Sequence, residues 1–134
     1  YLEAMVKGRA KAINSRTFND ITAALEDDEE PAEVFEKREK TDAKRLGTSL
    51  ALAAAGFAIC EAGRQAHRED PKKLVQKVWV TGPNSRPTHT AMNGETVDID
   101  DTFSNGARWP GDDNLDPDES CGCNCSTEVI YTEV

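Results

Sequence analysis

Basic residues are scarce in this chain. Lys and Arg number 16 against 25 Asp and Glu, a formal net charge of -9. Gripping nucleic acid takes an excess of cations on one face, so this balance is a poor footprint for a dedicated nucleic-acid binder, although it leaves room for a local basic patch. No signal peptide is visible either. "YLEAMVKGRAKAINS" carries charges where an apolar core would lie. The first residue is Tyr1 rather than Met, as expected of a processed or partial product. The longest uncharged run of the front half, "LGTSLALAAAGFAIC" at 46–60, falls short of the roughly 20 residues a bilayer needs and reads as a buried helix. The expectation is a soluble chain with no membrane partner. There is no His-Glu-x-x-His, no nucleophile elbow, no phosphate-binding glycine loop and no internal repeat.

The cysteines are few and badly placed for a secreted scaffold. Three of the four crowd into "ESCGCNCST" and Cys60 stands alone. Bridged Cα atoms must lie about 4.4–6.8 Å apart with converging Cβ vectors, which a Cys-x-Cys pair meets poorly. A reducing compartment follows as the expectation.

A length of 134 residues suits one domain, or two small lobes sharing a core. The chain divides near Pro71, giving a helical region, 1–71, and a small β-rich lobe, 72–134. The predicted fold is α+β, with a long central helix in the first half. "EAMVKGRAKAIN" has weak periodicity at Leu2, Val6 and Ile13. Thr17 is placed to cap a short helix, "FNDITAAL", with Phe18, Ile21 and Leu25 on one side. After the solvated acidic run "EDDEE", Pro31 fits the first turn of the next helix. From Leu46 the stripe Leu46, Leu50, Ala53, Phe57, Cys60 steps by four and three. Cys60 falls on it as a small buried hydrophobe. His67 is expected in solvent, and Asp70-Pro71 closes the helix.

Past Pro71 the period changes to two. "LVQKVWVTG" sets Leu74, Gln76, Val78 and Val80 against Val75, Lys77, Trp79 and Thr81, a strand partly buried on both faces. In "THTAMNGETVDI", Asn93-Gly94 between two short runs predicts a hairpin. A loop rich in Gly, Pro, Asp and Asn follows, then a final strand, "STEVIYTEV".

Trp79, Arg86-Pro87-Thr88-His89, Asn93-Gly94, Phe103, Pro110-Gly111-Asp112, Glu119 and Cys123-Asn124-Cys125 follow one another in a recognisable order. This order resembles the C-terminal part of the Mu F-like minor head proteins of tailed phages, the phage head morphogenesis family. The front half is similar more loosely, through "INSRTFNDITAAL" and the helix after it. The family usually carries an Asp before its arginine, where this chain has "GPNSR". Asn124 stands where the family has Arg, and Cys121 is extra. The resemblance implies a non-enzymatic minor capsid protein at the portal vertex inside the head, assembled in the host cytoplasm. Its implied partners are the portal protein, major capsid or scaffold proteins and, weakly, packaged DNA. The helical half would meet the portal or capsid, and the lobe would form a compact cap.

Residues two apart in an extended segment face the same side, so Cys121, Cys123 and Cys125 can present three thiols together. Zinc holds thiolates at about 2.3 Å and imidazole at about 2.0–2.1 Å in a tetrahedron, and His89 beside the predicted hairpin completes a ligand set. Such a structural zinc would tie the hairpin to the last strand. Buried packing thiols, or a disulfide or redox pair, also fit these residues. His89 alone could be a hydrogen-bonded structural histidine, and Arg86 an ion-pair partner for local acids. The alternative functions are a metal-binding enzymatic or toxin-associated domain, with Glu95 and Glu119 as the nearby acids, and a zinc-stabilised interaction module.

Overall fold

No proline interrupts residues 2–26, and the helix they begin does not stop at Thr17. The computed structural model describes residues 2–27, 29–120 and 122–133. Its elements are α1 (Leu2–Glu26), α2 (Pro31–Glu69), β1 (Lys73–Val80), α3 (Pro87–Thr90), β2 (Thr96–Asp98), α4 (Pro117–Ser120) and β3 (Ser126–Glu133). The fold is α+β: two long helices, then a three-stranded antiparallel sheet of order β2-β1-β3.

Thr17 is not a cap. Its hydroxyl donates to the Ile13 carbonyl at 2.9 Å, one turn back, which satisfies the side chain inside a continuous helix. Pro31 does occupy the first turn of α2, followed by Glu33 near the positive end of the dipole. α2 then runs 39 residues without a break, about 58 Å at 1.5 Å per residue. The charged residues of 32–45 and the apolar run of 46–60 are thus one helix. α1 and α2 lie side by side, and Arg38 of α2 donates to Asp20 of α1 at 2.7 Å.

The buried stripe of α2 is Ser49, Ala53, Gly56, Cys60 and Gly63; Leu46, Leu50 and Phe57 flank it half-buried. Small residues win the inner positions because the lobe comes so close. A Cβ on Gly56 would stand 3.1 Å from the Trp109 Cβ, and one on Gly63 would stand 2.9 Å from the Ile99 Cδ1. One 18-residue window of α2 has mean hydropathy 1.4, so the helix is long and apolar enough to cross a membrane by length and composition, contrary to the shorter uncharged run. Core helices pass the same test, and part of this window faces the lobe. At the end of the helix His67 is half-buried rather than free in solvent, with Nδ1 3.0 Å from the Lys73 carbonyl.

β1 is the central strand. Its eight residues pair with β3 along their whole length, from Lys73 opposite Glu133 to Val80 opposite Ser126. On the other side Gln76, Lys77 and Val78 pair with Asp98, Val97 and Thr96 of β2. Val75, Lys77 and Trp79 point inward. The predicted hairpin about Asn93-Gly94 is corrected accordingly: residues 87–90 make a helical turn started by Pro87, and β2 pairs with β1 instead. Asn93 holds this connection by accepting from the Thr81 N–H and hydroxyl, each at 3.0 Å. The helical turn also turns side chains into the lobe, because i, i+3 spacing puts both His89 and Met92 inside.

Among the described residues, two apolar clusters fill the interior. One joins Trp79, Met92, Phe103, Ala107, Leu115, Cys123 and Cys125. The other joins Cys60 of α2 to Val75, Ile99 and Trp109, with Phe57 and Val129 against it, so the helical half and the lobe share a core. Trp79 and Phe103 meet edge to face at 5.2 Å, and Phe57 and Trp109 at 5.4 Å. Cys60 is fully buried, as expected, and burial pushes its thiol pKa up.

Candidate metal centre

α3 carries His89 beneath the Trp79 indole, with ring centres 5.4 Å apart. Cys123 and Cys125 lie between α4 and β3, and both turn their sulfurs to the imidazole. His89 Nδ1 is 3.6 Å from Cys123 Sγ and 3.7 Å from Cys125 Sγ. The three ligand atoms all lie within 4.8 Å of one another. Cys125 is 0% exposed, His89 2% and Cys123 2%. Together these residues could hold a metal ion. Cys121, the other expected ligand, lies outside the described residues.

The far side of the imidazole is occupied. His89 Nε2 lies 2.9 Å from Glu119 Oε2 of α4, and Arg86 Nη1 lies 3.5 Å from the same oxygen. A carboxylate can only accept, so Nε2 carries the proton and Nδ1 is left for the thiols. Metal-bound histidines are held in this way, with the second ring nitrogen donating to a carboxylate. Arg86 is thus an ion-pair partner of Glu119. Glu95 is elsewhere: its carboxylate accepts from the Ser104 N–H at 2.6 Å and hydroxyl at 2.8 Å.

The electrostatics favour a thiolate. A hydrogen bond from Cys123 brings the Cys125 pKa down to about 4 against the effect of burial, and His89, Ser85 and the Gly82 backbone add to it. Cys123 moves the other way, because its proton is held on Cys125 and it is buried. The hydrogen bond with Cys125 raises His89 above the ordinary histidine range, with burial opposing. Ser85 Oγ stands 3.5 Å from Cys125 Sγ and 2.7 Å from the Gly82 carbonyl, which fixes one wall of the cluster.

Several buried charges around the centre carry no sequence signal of their own. Arg9 of α1 is 2% exposed and donates to the carbonyls of Ser120, at 2.9 Å, and Gly111, at 3.0 Å. It ties α1 to the segment that carries Glu119. Asp112 is wholly buried and accepts from the Arg108 backbone N–H and guanidinium at 2.7–2.9 Å. Burial would raise its pKa, and the Arg108 hydrogen bonds outweigh that to hold it low. Lys77 is also wholly buried, with Nζ 3.0 Å from the Ile99 carbonyl and 5.6 Å from the Phe103 ring centre. Asp112 does belong to the Pro-Gly-Asp motif, but nothing in that motif names Arg108 as its partner.

Fold and site together define a small α+β protein with a buried His-Cys-Cys centre. No protein family, curated protein or solved structure matches the chain.

Proposed function

We propose that the centre holds one structural zinc ion, and that the chain is a minor head protein of a tailed phage acting in head assembly at the portal vertex. The observation that carries the zinc reading is the pair of Nδ1–Sγ distances, 3.6 and 3.7 Å. A tetrahedral zinc with about 2.3 Å thiolate and about 2.0–2.1 Å imidazole bonds sets those atoms roughly 3.6 Å apart. Soft thiolates with an imidazole select zinc over the hard cations. Burial supports a structural role, because a catalytic zinc keeps one position open to water or substrate. Cys121 is the fourth ligand in this reading.

The head-protein reading rests on the motif residues. Trp79, His89, Phe103, Pro110, Asp112, Cys123 and Cys125 are spread along the chain, yet all are buried, and Glu119 and Arg86 complete the shell of His89. That convergence supports treating them as one structural unit of the kind the resemblance implies. The thiolate, imidazole and carboxylate of Cys125, His89 and Glu119 also follow the order of a thiol nucleophile, its base and an orienting acid. A sulfur with no exposed surface does not meet a substrate, so the structural reading is preferred. The test pairs elemental analysis of protein purified without added metal with pull-down by the phage portal protein. One zinc per chain and portal capture at physiological salt are expected. Less than about a tenth of an equivalent of zinc would overturn the metal reading; DNA binding without portal binding would overturn the head-protein reading.

A further inference from the structure

The far end of the helical hairpin has an apolar face with nothing on it. Asn14, Phe18, Ile21 and Leu25 step by four, three and four along α1, so they share one side of that helix. Phe18 is 71% exposed and Leu25 61%. Phe35 of α2, 54% exposed, shares a surface depression of about 390 Å³ with Ile13, Asn14 and Thr17, which brings it to the edge of the same stripe. The lobe does not cover this face. Arg16 reaches Asp118 at 3.2 Å, but no hydrogen bond or ion pair joins the described residues of 18–36 to the C-terminal lobe. Three large exposed apolar side chains grouped on one helical end are unusual for an isolated surface and mark a contact site.

The charge around them selects the occupant. The stretch "FNDITAALEDDEEPAEVFE", 18–36, holds eight acids and no Lys or Arg. The cation bordering the depression, Arg38, is already held by Asp20 and Asp42. We infer that this face docks a basic amphipathic helix of another protein, whose apolar side covers Phe18, Leu25 and Phe35 while its Lys and Arg meet the acidic rim. Under the head-protein reading that helix belongs to an assembly partner, but the inference stands on the surface itself.

A synthetic helical peptide of leucine and lysine, with leucine on one face, is the probe, titrated into the full chain at physiological salt. The control peptide has the same composition with its leucines scattered. Saturable binding of the amphipathic peptide alone is expected. Phe18→Ser with Phe35→Ser should weaken it about tenfold or more, as loss of central apolar anchors does. Glu26→Lys with Glu39→Lys, the latter in the depression beside Phe35, should weaken it as well, and should flatten its salt dependence. Far-UV circular dichroism of each variant shows that the helices persist. Equal binding of the scattered peptide, or full affinity in the Phe18→Ser/Phe35→Ser variant, would overturn the inference by reducing it to charge alone. Sedimentation that finds the wild type dimeric and that variant monomeric would overturn it in favour of a second copy. Neither outcome touches portal capture, so the two readings fail separately.

Discussion

His89 and Glu119 meet through Nε2 and Oε2 at 2.9 Å, on the face of the imidazole turned away from both thiols. Thirty positions of sequence separate them, and α3 and α4 each supply one. The carboxylate fixes which nitrogen points at the sulfurs, so under the zinc reading it would govern metal affinity without touching the ion. Glu119→Gln should lower zinc affinity by about 10–100-fold in a chelator competition while leaving the fold intact. An unchanged affinity would mean that the pair only packs.

Metal removal should act on the lobe first. The unfolded chain has no preformed site, so binding energy is folding energy. A chelator should loosen the cluster around Trp79, read as lost near-ultraviolet circular dichroism, while far-ultraviolet helix signal stays largely intact. Cys123→Ser should do the same. Cys60→Ser should release no metal, because Cys60 sits in the other cluster with Val75, Ile99 and Trp109.

The close approach of α2 to the lobe gives a packing test. A side chain at Gly63 meets Ile99 and Val129 at once, so Gly63→Leu should destabilise by roughly 1–3 kcal/mol in urea unfolding. Phe57→Ala should fall below the ~3–5 kcal/mol of a fully buried phenylalanine, since Phe57 is half-buried against Trp109. If Gly63→Leu leaves the midpoint unmoved, the helix does not sit as described.

Lys77 supplies a pH test with a definite sign. Burial lowers its pKa in the folded chain. Between that folded value and the unfolded one, about 10.4, the unfolded chain binds more protons, so this group's contribution to stability rises with pH. Below the folded value the penalty on the charged amine is fully present. Cys60, raised by burial, pulls the opposite way in alkali, so the comparison must be a difference. Stability of the wild type minus that of Lys77→Met should climb toward alkaline pH; a flat difference would remove the role given to burial.

Much of the lobe was legible because its signals are local. The alternation of "LVQKVWV" gave β1, and the two-residue spacing of Cys123 and Cys125 gave a shared side. His89 was reached through the chemistry of ligands, although its supposed hairpin is a helical turn. The errors came from partners distant in sequence. Nothing near Gly56 and Gly63 announces Trp109 and Ile99, so large residues looked like the inner stripe of α2. Arg9 lies among exposed charges, and its two carbonyl partners are more than a hundred positions away. Thr17 looked like a helix start because its hydroxyl can serve either as a cap or inside a helix.

The Cys-x-Cys segment ends one residue short of Ser126, where β3 begins. Side chains on a strand alternate, so a slip of β3 by one residue along β1 would send Thr127 and Val129 outward and bring Glu128 and Ile130 in. β3 is an edge strand with β1 as its single neighbour among the described residues, and its register rests on that pairing, on the Thr127 hydroxyl bonded to the Val78 carbonyl and on the cost of burying Glu128. An ion gripped by Cys123 and Cys125 would anchor the strand at its first residue. The centre would then act as an alignment pin, adding to the cost of burying Glu128 in holding the strand to a single zipping.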